Sequence, residues 1–157
     1  MTASVSLKSL LRTGHFGNIK LGLDRNDVAQ LLGKHDDVGG TSRKYSRPGI
    51  WKYGDVELFF DRQTERLSLI VINFWEPKIP TGGVGIHLDP WIIAGGLRMS
   101  DLQAALQAEG ITYEELRPIQ PGTRQLMVNS SSSFVFKEDE EEFPDWLGLC
   151  KVVLARV

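Results

Sequence analysis

The densest group of ionisable side chains in this chain is an acidic run with aromatic residues directly behind it. Six carboxylates fall within eight residues, among them Glu140, Glu141 and Glu142, and Phe143 and Trp146 lie beside them. Acid–base catalysis needs two carboxyl groups whose environments separate their pKa values. A solvated run gives every carboxylate the same environment, so it predicts no catalytic pair.

Two interpretations of the acidic run stay open. It can be the tip of a hairpin that keeps the protein soluble, because mutually repelling carboxylates stay in water. It can also be a docking loop, in which Glu140, Glu141 and Glu142 steer a basic partner protein and Phe143 or Trp146 anchors it.

A second group consists of four basic residues within ten positions: Arg43, Lys44, Arg47 and Lys52. Tyr45, Trp51 and Tyr53 lie among them, and aromatic rings between cations can stack on bases or enclose an anion. The segment is therefore a secondary anion-binding candidate, with solvated loop charge as the simpler interpretation. A net charge of -2 makes nucleic acid an unlikely partner.

The remaining motifs predict no catalytic residue, no metal and no cofactor. His87 and Asp89 have the spacing of two metal ligands, but no histidine follows them to complete a site. The chain has no Gly-x-Ser-x-Gly elbow. Its single cysteine, Cys150, excludes an internal disulfide and lies in an apolar run, where we expect a buried and unreactive thiol.

Length and composition favour an ordinary soluble domain over residues 1–157. Hydrophobic residues make up 41% and charged residues 24% of the 157 positions. The first twelve residues contain no continuous apolar segment of the signal-peptide type. The longest apolar stretch, 67–75, is too short to cross a membrane. We therefore expect a cytoplasmic protein without a membrane partner.

Hydrophobic spacing predicts both helices and antiparallel strands. A helix is expected from Asp24 to Gly33, because Val28, Leu31 and Leu32 recur on one side, and a shorter one from Ser4 to Arg12. Strands are expected at 50–53, 56–61 and 67–75, and again at 125–128, 133–137 and 147–157. The short connections between them favour hairpins.

The pattern occurs twice, which predicts an α+β fold of two tandem units, each a helix followed by an antiparallel meander. Gly96-Leu97 through Leu102 aligns with Gly22-Leu23 through Val28, and Ser100 and Gln103 form a capping-box pattern for the second helix. The units span about 18–76 and 92–157, and a Pro/Gly-rich linker at 76–91 joins them in one domain.

One motif carries a family resemblance. The sequence Gly-Leu-x-x-x-Asp-Val-x-x-Leu-Leu-Gly-Lys at 22–34, followed by a loop and a meander, resembles the β-lactamase-inhibitor-protein-like fold, which includes the BamE/SmpA outer-membrane assembly lipoproteins. The resemblance covers about 20–150 and implies a tandem of two such units. Shared shape does not imply a shared target.

Taken together, these features favour a non-catalytic protein-binding or inhibitor module, with a cytoplasmic immunity protein as its specific form. The alternative is a small enzyme or ligand-binding domain with a pocket between helix and sheet. The sequence contains nothing that selects an oligomeric state.

Overall fold

Alternating apolar residues build one long antiparallel sheet, and three amphipathic helices cover one of its faces. A computed structural model describes residues 3–44 and 47–155. This part of the chain has an α+β fold, and its helices are α1 (Leu7–Thr13), α2 (Arg25–Leu32) and α3 (Met99–Glu109). Its strands are β1 (Ala3–Ser6), β2 (Asp37–Gly39), β3 (Ile50–Tyr53), β4 (Val56–Phe60), β5 (Leu67–Asn73), β6 (Ile86–Asp89), β7 (Tyr113–Leu116), β8 (Thr123–Val128), β9 (Ser132–Lys137) and β10 (Gly148–Ala155).

Eight of these strands form one sheet in the order β2-β3-β4-β5-β10-β9-β8-β7. The four strands after α2 and the four strands after α3 are each consecutive neighbours, joined by short connections. Antiparallel pairing of β5 with β10 connects the two groups, with Ile72 opposite Val152 and Ile70 opposite Leu154. The sheet is therefore continuous from one half of the chain to the other.

Helix α2 begins and ends where its sequence predicts. The Asp24 side chain accepts a hydrogen bond from the Asp27 N–H at 2.9 Å, and Gly33 follows the last turn with a φ of +74°. Helix α3 also lies where predicted, but the capping box at Ser100 and Gln103 is wrong. The N-cap is Arg98 and makes no side-chain capping bond, so Ser100 lies inside the first turn.

The beginning of the chain differs from its expected helix. Residues 3–6 are a strand, and the helix starts only at Leu7, after the Ser6 side chain accepts a hydrogen bond from the Ser9 N–H. Strand β1 pairs in parallel with β6, which lies inside the predicted linker at 76–91. That segment therefore contains a strand as well as turns.

The core lies between the helices and one face of the sheet. Val28 and Leu32 of α2 and Leu102 and Leu106 of α3 are buried there, as their spacing predicts. Lys8 and Arg12 of α1 form ion pairs with Glu109 at the end of α3. We call the opposite face of the eight-stranded sheet the outer face; its strand residues point away from the helices.

The outer face has a mixed apolar and polar surface. Val71 is buried on it and does not belong to the core cluster on the other side. Val71 lies opposite Val153, and Val153 lies opposite Ser133, so a row of small and branched side chains crosses the centre of the sheet. Glu57 and Lys52, which are neighbours on β4 and β3, add a charge pair at 3.7 Å.

Candidate functional site

The acidic run forms the connection between β9 and β10, and every side chain from Glu138 to Glu142 is exposed. The connection is held by its backbone. The N–H groups of Glu138 and Asp139 donate to the Gly122 carbonyl at 2.9 and 3.2 Å, and the Phe143 N–H donates to the Asp139 carbonyl at 2.9 Å. The carboxylates are thus presented to solvent by an ordered loop that packs on the β7–β8 connection.

The two aromatic residues behind the carboxylates fold back over the end of the sheet. The Lys137 ammonium lies 3.4 Å from the centroid of the Trp146 ring and 5.2 Å from that of Phe143. These are cation–π distances. Lys137 is the last residue of β9, so both rings lie at the end of this strand. We call Phe143, Trp146 and Lys137 the aromatic clamp.

A shallow cavity of about 220 Å³ lies beside the aromatic clamp at the same end of the sheet. Trp75 borders this cavity and is 82% exposed, whereas the preceding residue, Phe74, is buried in the core. The lining also includes Cys150 and Lys151 of β10 and Gln120 of the β7–β8 connection. Aromatic surface from separate segments of the chain therefore converges on one place.

Ile119 is an exposed apolar residue that is close in sequence to the lining of this cavity. It is 87% exposed in the β7–β8 connection, one residue before the cavity-lining Gln120. Three segments meet at this end of the sheet: the residues after β5, the β7–β8 connection and the acidic loop. We call Trp75, Ile119, Phe143 and Trp146 together the apolar patch.

Cys150 is half-buried rather than fully buried as predicted. Its thiol donates to the Val135 carbonyl at 3.4 Å, and burial raises its pKa despite the nearby Lys137 and Lys151. A thiol with a raised pKa carries little thiolate at neutral pH and is a poor nucleophile. The geometry favours a packing role for this residue.

Two of the four cations of the basic segment are paired with carboxylates, and the other two lie exposed in a loop. The Lys52 ammonium lies 3.7 Å from Glu57, and Arg47 lies 3.8 Å from Glu65. Arg43 and Lys44 are exposed in the loop between β2 and β3.

The aromatic residues of the basic segment also lie apart from its cations. Trp51 faces the core and contacts Phe60 at 4.8 Å between ring centroids, on the opposite side of β3 from Lys52. Tyr53 is fully buried, and Tyr45 lies outside the described residues. The predicted interleaving of rings and cations is therefore not present among the residues described around β3.

One residue that sequence reasoning missed is Arg25, the first residue of α2. It is only 4% exposed, its Nε donates to Glu65 at 2.5 Å, and its guanidinium carbon lies 4.5 Å from the centroid of the Phe60 ring. The Nη1 atom is buried and has no hydrogen-bond partner. Nothing in the spacing around α2 distinguishes Arg25 from an ordinary exposed first-turn residue.

A second cavity, of about 400 Å³, opens where the segment after α1 meets the β8–β9 turn. It is bordered by His15, Ser130 and Ser131, and none of the described residues that line it carries a carboxylate side chain. His87 is exposed on β6, while Asp89 accepts a hydrogen bond from the Trp91 N–H at 3.1 Å. Within residues 3–44 and 47–155, no three His, Cys, Asp or Glu side chains are grouped to hold a metal ion.

Comparison of the chain with protein-family models, with curated proteins and with solved structures gives no match. Among the described residues, no helix combines the length and apolarity that crossing a membrane requires.

Proposed function

We propose that this protein is a non-catalytic protein-binding module that captures its partner at the end of the sheet where the apolar patch and the acidic loop meet. The observation that carries the proposal is the 82% exposed Trp75 ring, which shares one cavity with the half-buried Trp146 and Phe143 rings. Ile119, which is 87% exposed, lies in the connection that supplies Gln120 to this cavity. A grouped set of exposed large apolar side chains is typical of interaction surfaces.

The composition of this surface fits a protein partner. Interface anchors are enriched in tryptophan, and their energetic centres are surrounded by polar rims. Here Trp75 and Trp146 supply the rings, and the carboxylates from Glu138 to Glu142 form a rim of one sign. Such a rim attracts a partner with a basic surface and speeds its approach.

The β4–β5 and β9–β10 hairpins, which contain the two central strands of the sheet, have loops of different length. This difference supports a specialised role for the acidic loop. The β4–β5 connection runs from 61 to 66, whereas the β9–β10 connection runs from 138 to 147. In a tandem of two equivalent units, the longer loop is an elaboration of the second unit. The tandem organisation, the inhibitor-type fold and the role of a cytoplasmic immunity protein are parts of this same proposal.

Site-specific photo-crosslinking in the native cell tests the proposed surface. A photoreactive phenylalanine replaces Ile119 in the apolar patch, and in the control it replaces Ala108 on the exposed side of α3. We expect one defined protein to crosslink from position 119 and not from 108. Equal crosslinking from both positions, or from neither, would contradict the proposal.

The binding kinetics of the crosslinked partner separate steering from anchoring. Replacing Glu140, Glu141 and Glu142 with Gln is expected to slow association and to flatten its salt dependence, because exposed charges act over about 8 Å at physiological salt. Trp146→Ala is expected to raise the dissociation rate instead. If both substitutions leave both rates unchanged, the acidic loop is a solvated hairpin tip.

The alternative of a small enzyme or ligand-binding domain rests on the cavity of about 400 Å³ beside His15. A histidine base needs a group that orients it and a nucleophile within hydrogen-bond distance. Ser130 and Ser131 border the cavity, but the part of its lining that the structure describes offers the imidazole no carboxylate side chain. A small molecule whose binding is lost in Ser131→Val, with the apolar patch intact, would favour this alternative.

A further inference from the structure

The cavity of about 400 Å³ beside His15 is built from three separate segments of the chain. The segment after α1, the β8–β9 turn and the end of β10 supply its described lining, with residues 14–16 and 19–21, 130–131 and 154–155. The Asn129 side chain donates a hydrogen bond to the Arg12 carbonyl at 2.7 Å, which ties the β8–β9 turn to the end of α1. The fold therefore holds two of these segments against each other.

The lining of this cavity combines buried apolar residues with exposed polar ones. Phe16 and Ile19 belong to the hydrophobic core and are buried, whereas His15, Lys20 and Ser130 are exposed. Pockets for small molecules have volumes of about 300–1,000 Å³ and are mostly apolar, with a few polar groups that orient the ligand. The cavity thus has the size and composition of a site for a small ligand.

The charges of the lining favour an anionic ligand. Lys20 is a cation at neutral pH, and none of the described lining residues carries a carboxylate side chain. Neither Lys20 nor His15 forms an ion pair with another described residue. Hydrogen bonds from an ammonium to a carboxylate or phosphate are about twice as strong as those between neutral groups. Lys20 can therefore donate to an anion without a competing carboxylate in the described lining.

A buried hydroxyl lies directly behind this lining. Ser132 is fully buried, and its Oγ has no hydrogen-bond partner among the described residues. Its neighbour Ser131 lines the cavity, and so does Leu154, its partner across the β9–β10 ladder. A polar group without a partner costs free energy in a protein interior. A ligand oxygen seated between Ser131 and Leu154 would give this hydroxyl an acceptor.

We propose that this cavity binds a small organic acid, with its apolar body against Phe16 and Ile19 and its carboxylate or phosphate group beside Lys20. The inference names the ligand class for the small-molecule alternative and does not depend on protein binding at the apolar patch. The cavity beside the apolar patch is lined by the start of β10, whereas this cavity is lined by the end of that strand. The two sites are therefore separate.

Titrations followed by the backbone amide NMR signals of Gly14, Ser130 and Ser131 test the inference. The probes are hydrocinnamate and phenyl phosphate, and hydrocinnamamide is the neutral match of the first. Lys20→Met removes the cation of the lining. Lys151→Met is the matched control, because it removes another exposed ammonium that lines a different cavity.

We expect at least one of the two acids to shift these amide signals, and hydrocinnamamide to bind about three- to tenfold more weakly than that acid. Lys20→Met is expected to weaken acid binding by the same factor, which is the size of a partly exposed charge-assisted hydrogen bond. It should leave the affinity for the amide unchanged, and Lys151→Met should leave both affinities unchanged. The ratio of the two acid affinities identifies the preferred anionic group.

Equal binding of the acids and the neutral amide would overturn the inference, since the cavity would then select only an apolar body. Equal losses in Lys20→Met and Lys151→Met would overturn it because net charge alone would explain them. The absence of any shift with either acid would also reject it. The proposed function is tested separately by crosslinking from position 119, so either can fail while the other holds.

Discussion

At the scale of single residues, Tyr53 shows how burial fixes a protonation state. Its ring is fully buried, its hydroxyl donates to the Gly33 carbonyl at 2.9 Å, and burial, followed by the charge of Asp36, raises its pKa to about 12. The unfolded chain loses this proton near pH 10, whereas the folded protein keeps it. The stabilisation that the protonated Tyr53 hydroxyl provides is therefore fully present below pH 10, and it is lost as the pH rises toward 12.

Tyr53→Phe isolates that contribution. The variant is expected to lose about 1 kcal/mol at pH 8, because the Gly33 carbonyl loses its donor. From pH 9.5 to pH 11.5 the urea midpoint of the unmodified protein should fall more steeply than that of the variant. Parallel pH profiles for the two proteins would show that Tyr53 ionises equally in the folded and unfolded states.

Arg25 is buried and forms an ion pair with Glu65. We expect the loss of Glu65 alone to reduce the stability of the protein more than the loss of both residues. Removing one member of a buried ion pair leaves a charge without compensation, whereas replacing both members is often tolerated. Glu65→Gln is therefore expected to destabilise the protein, and Arg25→Met in addition should recover most of the loss. Chemical denaturation of the two single variants and the double variant measures the coupling. Additive losses would mean that Arg25 and Glu65 act independently.

At the scale of elements, the start of β10 is set by a close backbone contact. Gly148 has a φ of +100°, and a Cβ atom there would lie 2.3 Å from the Gly96 carbonyl oxygen. This contact accompanies hydrogen bonds between Leu149 and both Gly96 and Leu97, which connect β10 to the segment before α3. The end of the acidic loop is thus fixed against the entry to the helix.

Gly148→Ala is expected to cost about 2–4 kcal/mol, since it combines a steric overlap with an unfavourable φ. The control is Gly110→Ala, where φ is +69° and no atom lies within 4 Å of the added Cβ. That variant should lose only about 1–2 kcal/mol for its backbone conformation. Thermal unfolding of both variants tests the difference, and equal losses would rule out the contact as the cause.

The sequence predicts elements well where a hydrophobic period is long enough to exclude the alternatives. Val28 and Leu32 specify α2, and the alternation in β4 specifies a strand with one buried face. The edge strands β2 and β7 were missed because they are short and polar, so their backbone pairing determines them. Strand β1 was missed because Val5 and Leu7 also suit the helix that starts immediately after it.

The acidic loop, Phe143 and Trp146 are visible in the sequence as a candidate site, but their neighbours are not. Trp75 follows an apolar strand, and its sequence context is equally compatible with a buried side chain. Its exposure depends on the direction in which the Trp75 side chain points after β5, which the sequence does not specify. Gln120 and Thr123 line the same cavity as Trp75, from a different hairpin. Strand order brings these segments together, and no local pattern encodes that order.

At the scale of the whole molecule, the β5–β10 pairing makes the two halves one cooperative body. Ile70 and Ile72 lie opposite Leu154 and Val152 in the same core that α2 and α3 cover. We expect a single unfolding transition, with tryptophan fluorescence and far-ultraviolet circular dichroism giving coincident curves. Val152→Ala should shift both curves together, with a loss of stability of about 1.5–3 kcal/mol, because two buried methyl-sized groups are removed and a cavity remains. Separated transitions would instead indicate two independent halves.

The parallel pairing of β1 with β6 has a consequence for the order in which the protein is made. Residues 3–6 leave the ribosome well before the strand they pair with, 86–89, is synthesised. Meanwhile the meander from β2 to β5 can already close through local hairpins, which form in microseconds. Strand β1 therefore docks later than the meander that follows it, and until then Val5 and the adjacent Leu7 of α1 remain available to chaperones during translation.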